Sequence, residues 1–169
     1  MPIRALIADD EPLARAAIHQ LLASHPDVTV VAEARDGREA LRMLKAHAPD
    51  LVFLDVQMPE MDAFDVIRVR GPEHMPLVVF VTAFDHFAVR AFEAHSLDYL
   101  VKPVTQERLD LALERVRERR TLVEAAELAR RFSALLSERA KPAQRILVPA
   151  ADGELLINAR EIDWIEAED

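Results

Sequence analysis

Two short runs of consecutive apolar residues constrain the fold of this chain more than any other feature. They are LVFL at 51–54 and LVVFV at 77–81, and polar residues do not alternate within either run. A strand with one face in water shows such alternation, whereas a strand buried on both faces is apolar throughout. Strands of the second kind lie in a parallel sheet between two layers of helices, so these runs predict an α/β fold.

Three further apolar runs extend the pattern to five strands. They lie at Ile3–Ala8, Val28–Ala32 and Tyr99–Val101, and a helix-like segment follows each of the first four of the five runs. Pro12 suits the first turn of the first helix, and Asp36 begins a capping-box pattern ahead of the second. Strands that alternate with helices in this way predict a doubly wound parallel sheet.

The last helix is predicted to be long. Thr105 can cap its start, and the next proline or glycine in the chain is Pro142. A helix over this span measures about 50 Å at 1.5 Å per residue, which is more than a compact domain needs. Leu128, Phe132 and Leu135 recur at spacings of four and three. This end of the helix therefore predicts either a coiled-coil seam or a surface that packs on another domain.

The C-terminal residues predict a small β fragment. The runs QRILVPA and ELLIN are typical of two strands joined by a turn at Asp152-Gly153. One hairpin of this size does not fold as an independent domain. Residues 141–169 contain three basic and seven acidic side chains. DNA affinity depends on cationic contacts with phosphates, so this fragment is not expected to bind DNA by itself.

Composition excludes several classes of site. The chain has no cysteine, which excludes disulfides, zinc-thiolate sites and iron–sulfur clusters. Its three glycines, at 37, 71 and 153, cannot form a dinucleotide-binding or P-loop glycine motif. The net charge is −9. The run Ala5–Ala8 is too short for a signal peptide, and no stretch reaches about 18 apolar residues. These observations predict an acidic cytoplasmic protein without a membrane segment.

Polar residues converge where the predicted strands end. The first strand runs into Asp9 and Asp10, the third ends at Asp55, the fourth at Thr82, and the fifth runs into Lys102. Right-handed crossovers bring these ends to one edge of the sheet, where ligands bind in doubly wound folds. Adjacent carboxylates repel each other, and oxygen ligands without histidine or cysteine suit Mg²⁺. A lysine can hold phosphoryl oxygens, and an aspartate can accept a phosphoryl group as an acyl phosphate.

Four motifs in this order resemble the receiver domain of two-component response regulators. They are IADDE, LVFLDVQMPEMD, FVTAF and LDYLVKP, and each lies at a strand end within residues 1 to about 120. The resemblance implies a flavodoxin-like (βα)5 fold with strand order 2-1-3-4-5. It also implies that Asp55 is the phosphoacceptor. The implied Mg²⁺ ligands are Asp10, Asp55 and the backbone carbonyl of Gln57, with Asp9 acting through water.

The same resemblance gives three residues a role in the response to phosphorylation. Thr82 resembles the hydroxyl that moves to the phosphoryl group, and Lys102 resembles the lysine that pairs with it. Tyr99 resembles the aromatic switch whose ring moves inward. The peptide bond between Lys102 and Pro103 is implied to be cis. Two departures lie in the loop after the phosphoacceptor, where the family often has glycines near Glu60 and at Ala63.

A longer match is more particular. The segment FDHFAVRAFEAHSLDYLVKP, together with the tail, resembles the LytR/AlgR group of regulators, whose output module is a LytTR DNA-binding domain. This implies a complete receiver at 1–120, a connecting helix at 121–141 and the first strands of a truncated LytTR domain at 142–169. Contact with DNA is then expected only through the output domain of the full-length protein.

The leading hypothesis is a signalling module and not an enzyme, because its only reaction is to accept and slowly lose its own phosphoryl group. The implied partners are a sensor histidine kinase and a second copy of the chain. The copies would meet through the face of the fourth helix, around Phe84–Phe92, with the fifth strand and fifth helix, or through the extended helix. Two alternatives stay open. A haloacid-dehalogenase-like phosphatase would need a second aspartate where Gln57 lies, and a pseudo-receiver would dock partners without taking phosphate.

Overall fold

The computed structural model describes residues 1–83, 96–139, 145–150 and 153–158. The predicted fourth helix, around Phe84–Phe92, lies outside these residues, and the predicted fifth helix is therefore called α4. Five strands form one sheet, namely β1 (Ile3–Ala8), β2 (Val28–Ala34), β3 (Leu51–Leu54), β4 (Leu77–Thr82) and β5 (Asp98–Val101). The described helices are α1 (Pro12–Leu22), α2 (Gly37–His47), α3 (Ala63–Arg70), a 3-10 turn (Pro72–His74) and α4 (Gln106–Arg139).

The sheet is parallel throughout, with strand order β2-β1-β3-β4-β5. This confirms the predicted α/β fold and its strand order. The order reverses at the boundary between β1 and β3, since the chain goes outward from β1 to β2 and then returns to β3 on the other side. A crevice forms beyond the carboxyl ends of the strands at such a reversal.

Alternate residues of the strands build two separate cores. In β1, Ile3, Ala5 and Ile7 face one side of the sheet, and Leu6 and Ala8 face the other. The first core is closed by α1 and α4, and the second by α2 and α3. Burial of both faces explains why the strands are apolar throughout. Each fully buried large side chain contributes about 1.5–3 kcal/mol to the stability of the fold.

Short polar side chains start the helices at the predicted positions. Asp36 Oδ1 accepts a hydrogen bond from Glu39 N at 2.7 Å, as the capping-box pattern predicts. Thr105 Oγ1 lies 3.4 Å from Arg108 N at the start of α4. An N-cap of this kind contributes about 1 kcal/mol, because it satisfies an otherwise unpaired amide of the first turn.

The last helix is long, as predicted. Its first part closes a core with Leu109, Leu113 and Val116, which are fully buried. Beyond this part, Leu128 and Phe132 are 69% and 63% exposed. The chain divides into two compact units, Met1–Thr121 and Leu122–Asp169. The domain boundaries at 120 and 141 stay predictions.

Two antiparallel strands form a hairpin in the second unit. They are β6 (Arg145–Ala150) and β7 (Gly153–Asn158), at the positions that the two apolar runs of the tail predict. Among the described helices, none is long and apolar enough to cross a membrane.

A polar network lies at the loop before β2, at the amino end of that strand. We call His25, Asp27, Asp110 and Arg117 the loop cluster. Arg117 donates to both carboxylate oxygens of Asp27 at 2.8 and 2.9 Å. A third bond from Arg117 reaches His25 Nδ1 at 3.3 Å, and His25 Nε2 lies 2.9 Å from Asp110 Oδ1. The cluster fastens α4 to the loop between α1 and β2.

Candidate functional site

The backbone ladder of the sheet continues past the strand ends and carries the polar residues with it. Asp9 N donates to Ala34 O at 3.0 Å, and Asp55 N donates to Ala8 O at 2.8 Å. Lys102 N similarly donates to Thr82 O at 2.8 Å. The residues that follow the strands are therefore fixed by the sheet itself and meet at one edge, as predicted.

A cleft of about 420 Å³ opens at this edge. This cleft brings together most of the site residues that the sequence predicts. Its lining includes Asp10, Asp55, Gln57, Thr82 and Lys102, together with Glu11, Met58, Pro59 and Ala83. Asp9 is only 4% exposed and contacts Lys102 of this lining, with 2.7 Å between Asp9 Oδ2 and Lys102 Nζ.

A single ammonium group bridges two buried carboxylates. Lys102 Nζ lies 2.7 Å from Asp9 Oδ2 and 2.9 Å from Asp55 Oδ2. The other oxygens of these carboxylates accept main-chain bonds, since Asp9 Oδ1 accepts from Glu11 N at 2.9 Å and Asp55 Oδ1 from Gln57 N at 3.2 Å. Each carboxylate is thus oriented at both oxygens.

The pKa values of two groups in the site are both raised, but for different reasons. Burial raises the pKa of Asp55; the hydrogen bond and charge of Lys102 oppose the rise, and the charge of Asp9 adds to it. Burial acts to lower the pKa of Lys102, but its bonds to Asp9 and Asp55 outweigh this and keep the pKa above its usual value. One lysine therefore compensates the acidic groups only in part.

The chemistry of the site fits a hard divalent cation. Carboxylate oxygens of Asp9, Asp10 and Asp55, which we call the acidic cluster, lie within 4.8 Å of one another. Oxygen donors in this number and spacing suit Mg²⁺, which binds through one or two carboxylates and keeps several waters. A second feature points to an oxygen-rich ligand. Thr82 is fully buried, and its hydroxyl has no hydrogen-bond partner among the described residues. Buried hydroxyls are normally paired, so one left unpaired on the cleft wall can serve a ligand.

The other predicted site residues lie around this cleft. Tyr99 is partly buried on β5, opposite Phe80 of β4, and packs against the core that α2 and α3 close. Gln57 is exposed on the cleft wall. The peptide bond between Lys102 and Pro103 is cis, the isomer that the resemblance implies. The roles of these residues in a reaction stay predictions.

The loop between β3 and α3 depends on a glycine that sequence reasoning did not single out. A Cβ on Gly37, at the start of α2, would lie 2.4 Å from the main-chain oxygen of Met61. Only glycine permits this close approach. In the same loop Glu60 has a φ of 65°, which explains why the family often has glycine nearby. The scarcity of glycine in the chain was the available signal for Gly37.

Arg15 is a second residue that sequence reasoning missed. It lies in the first turn of α1, and its Nη1 donates to the main-chain oxygen of Asp9 at 2.8 Å. Long side chains of a helix point back toward its amino end, so a basic residue one turn after an acidic pair was the available signal.

A comparison with protein families identifies the domain. The model described as the response regulator receiver domain matches residues 5–114. The chain belongs to this family. Its receiver domain is 32% identical to the receiver domain of AraT, a response regulator from Geobacillus stearothermophilus, with a TM-score of 0.67 over 73% of this chain and 99% of that one. The corresponding domain of mrkE from Klebsiella pneumoniae is 30% identical, with a TM-score of 0.63 over 69% of this chain and 96% of that one.

Relatives of known sequence are also response regulators. An uncharacterized response regulatory protein of Vibrio cholerae is 41% identical over 98% of this chain and 66% of its own length. The transcriptional regulatory protein BtsR of Escherichia coli K12 is 41% identical over 70% of this chain and 50% of its own length. The chain thus spans between half and two thirds of the length of these relatives.

Proposed function

We propose that this receiver domain is phosphorylated on Asp55 by a partner histidine kinase in a Mg²⁺-dependent reaction. One observation carries the proposal: a nucleophile, an acidic cluster, a lysine and an unpaired buried hydroxyl meet in one cleft. A receiver domain without these groups could fold equally well. Their meeting supports a site for a phosphoryl group beside a cation.

The chain's own residues divide the work of the transfer. An oxygen of Asp55 forms the new bond to phosphorus while the bond from phosphorus to the donor's imidazole nitrogen breaks, and the imidazole leaves as a neutral ring with a proton taken up from water. Lys102 and the Thr82 hydroxyl are near enough to the cleft to hold the transferred oxygens. The acidic cluster would hold Mg²⁺, which neutralises charge on the phosphoryl oxygens. Positioning and charge neutralisation supply most of the catalysis in such transfers.

We propose that the chain only accepts and loses its own phosphoryl group and does not turn over other substrates. Gln57 stands where a haloacid-dehalogenase-like phosphatase would need a second aspartate, so a group to protonate a leaving alcohol is missing at that position. Repeated hydrolysis of a phosphate ester by the purified chain would contradict this part of the proposal.

Labelling with a small acyl-phosphate donor and Mg²⁺ tests the proposal. The parent chain is expected to gain the mass of one phosphoryl group, and Asp55→Asn is expected to gain none. Asp27→Asn is the matched control, because it removes a carboxylate of the loop cluster outside the cleft, and it should label like the parent. Equal labelling of Asp55→Asn and the parent would refute Asp55 as acceptor. Failure of the parent to label or to bind a beryllofluoride mimic would instead favour a pseudo-receiver.

The regulatory output forms a separate part of the proposal. We propose a transcriptional regulator of the LytTR type, which works in the cytoplasm and binds DNA through an output domain and not through this fragment. Support comes from the BtsR relatives, named as transcriptional regulatory proteins, and from the match with the Vibrio cholerae protein, which extends over the hairpin of β6 and β7. Binding of operator DNA by the isolated chain, with its acidic tail, would contradict this assignment.

Phosphorylation is proposed to control the pairing of two copies. A receiver with two conformations shifts toward the one that the phosphoryl group favours. Candidate surfaces are the face around β5 and the exposed side of α4, where Leu128 and Phe132 are uncovered. Sedimentation should give a larger species with beryllofluoride than without it, and a monomer under both conditions would count against dimerisation.

A further inference from the structure

Arg15 connects the acidic loop to a neighbouring strand. Its Nη1 donates to the main-chain oxygen of Asp9 at 2.8 Å, and its Nε donates to Glu33 Oε2, on β2, at 3.0 Å. The Arg15 side chain is 17% exposed, and that of Glu33 is 43% exposed. The planar guanidinium presents several donors in a fixed fork, so it can hold both oxygens at once.

With this bond, the polar atoms of Asp9 are held on every side. Its amide donates to Ala34, one carboxylate oxygen accepts from Glu11 and the other meets Lys102. Arg15 holds the remaining atom, the main-chain oxygen. Hydrogen bonds and the ion pair therefore hold both the main chain and the side chain of Asp9 in place.

The bond to the main chain matters most for the next residue. The oxygen of Asp9 belongs to the peptide group that joins it to Asp10, and a peptide group is planar and rigid. Holding that oxygen therefore restricts the direction in which Asp10 leaves the loop. Asp10 is an exposed member of the acidic cluster that lines the cleft.

The charge of Arg15 is paired with Glu33 and not with a carboxylate of the acidic cluster. Its contact at the loop is with a neutral carbonyl, and Glu33 lies on its other side, with His19 Nε2 3.8 Å from the second oxygen of Glu33. A paired guanidinium orients the loop without neutralising the carboxylates that a cation would need. A guanidinium without an acidic partner, placed beside the acidic cluster, would repel a bound cation.

We propose that Arg15, oriented by Glu33, is a positioning residue that sets the Asp9–Asp10 peptide for cation binding. The inference rests on the proposed function, because it concerns Mg²⁺ at the acidic cluster. Partners that orient metal ligands typically change metal affinity by about 10-fold to 100-fold when they are removed. Arg15→Gln is therefore expected to weaken Mg²⁺ binding by about 10-fold. Arg15→Lys keeps one donor and should weaken it less.

Calorimetric titration with MgCl₂ measures the affinity directly, and labelling rates at increasing Mg²⁺ give a second readout. The Mg²⁺ concentration for half-maximal labelling should rise in Arg15→Gln, while the rate at saturating Mg²⁺ stays that of the parent. Glu33→Gln should shift the same concentration in the same direction. Arg131→Gln is the matched control, since Arg131 pairs with Glu127 within α4, and it should behave like the parent.

The two possible failures are distinguishable. Parent-like Mg²⁺ affinity in both Arg15→Gln and Arg15→Lys would overturn the inference and leave the proposed function intact. A lower saturated rate with unchanged Mg²⁺ affinity would also overturn it, because the residue would then act on the transfer itself. A parent chain that binds no Mg²⁺ would overturn both.

Discussion

The acidic cluster and the loop cluster contain similar groups but differ in burial and in the supply of donors. Asp9 and Asp55 are 4% and 5% exposed, and they share one ammonium group. The side chains of Asp27 and Asp110 in the loop cluster are 48% and 45% exposed. A guanidinium, an imidazole and an amide serve those two carboxylates.

The difference separates a polar cluster that stabilises the fold from one whose carboxylates could hold a metal ion. Half-exposed carboxylates can also use water, so the loop cluster costs little to form and each of its pairs contributes modestly. Buried carboxylates that outnumber their cations are unfavourable without a further positive charge. Such an imbalance persists at functional sites, where a cation or phosphoryl group completes it. Two pairs of variants and one single variant test the distinction.

The largest effect is expected from removing the cation of each cluster in turn. Lys102→Gln should slow labelling at saturating Mg²⁺ by about 100-fold, the usual cost of losing one donor to developing charge. Arg117→Gln should label at the parent rate, because its bonds all serve the fold. Rates are measured by intact mass after timed exposure to the acyl-phosphate donor. A parent-like rate in Lys102→Gln would mean that this lysine only neutralises its two aspartates.

A smaller effect is expected from the two glycines at opposite ends of the sheet. Gly37→Ala would bring a Cβ against the main chain of Met61, and Gly71→Ala would place alanine at a φ of 86°. Each should lower the free energy of unfolding by about 1–3 kcal/mol, measured by urea denaturation. Only Gly37→Ala should also slow labelling, because Met61 belongs to the loop that follows Asp55. Equal labelling rates in the two variants would mean that the conformation of that loop does not affect the reaction.

The smallest effect concerns the pH dependence of stability. The hydrogen bond from Arg117 holds the pKa of Asp27 below its usual value. Since the pKa of the carboxyl in the unfolded chain is about 3.9, the pair contributes its full stability above that pH and loses it as the pH falls through the folded pKa. The gain is below about 1 kcal/mol, because the pair is half exposed. Urea midpoints between pH 7 and pH 3 should fall less in Asp27→Asn than in the parent, and parallel curves would refute the assignment.

Much of the fold could be predicted because its signals are local. The apolar run at 51–54 coincides with β3, and Asp36 caps α2 at the predicted residue. The reacting groups could also be predicted from the sequence, since each directly follows a strand and parallel topology brings strand ends together. Contacts between residues far apart in the chain could not be predicted. Arg15 reaches Glu33 across 18 residues, and Gly37 meets Met61, so neither pairing has a local signature.

The bridging position of Lys102 was likewise beyond sequence reasoning. The resemblance implies a contact with a phosphoryl group, whereas the structure places the ammonium between Asp9 and Asp55. The reason is electrostatic: with two buried carboxylates within reach, a lysine at the end of β5 is most stable between them.

The alternation of β1 has a consequence for how this protein can change. The same period of two that sends Ile7 to one core and Ala8 to the other also leaves Asp9 buried and Asp10 exposed. Removing or adding one residue in β1 would exchange the two cores and the two acids in a single step. Substitutions can accumulate here one at a time, but the length of this strand is fixed jointly by packing and by chemistry.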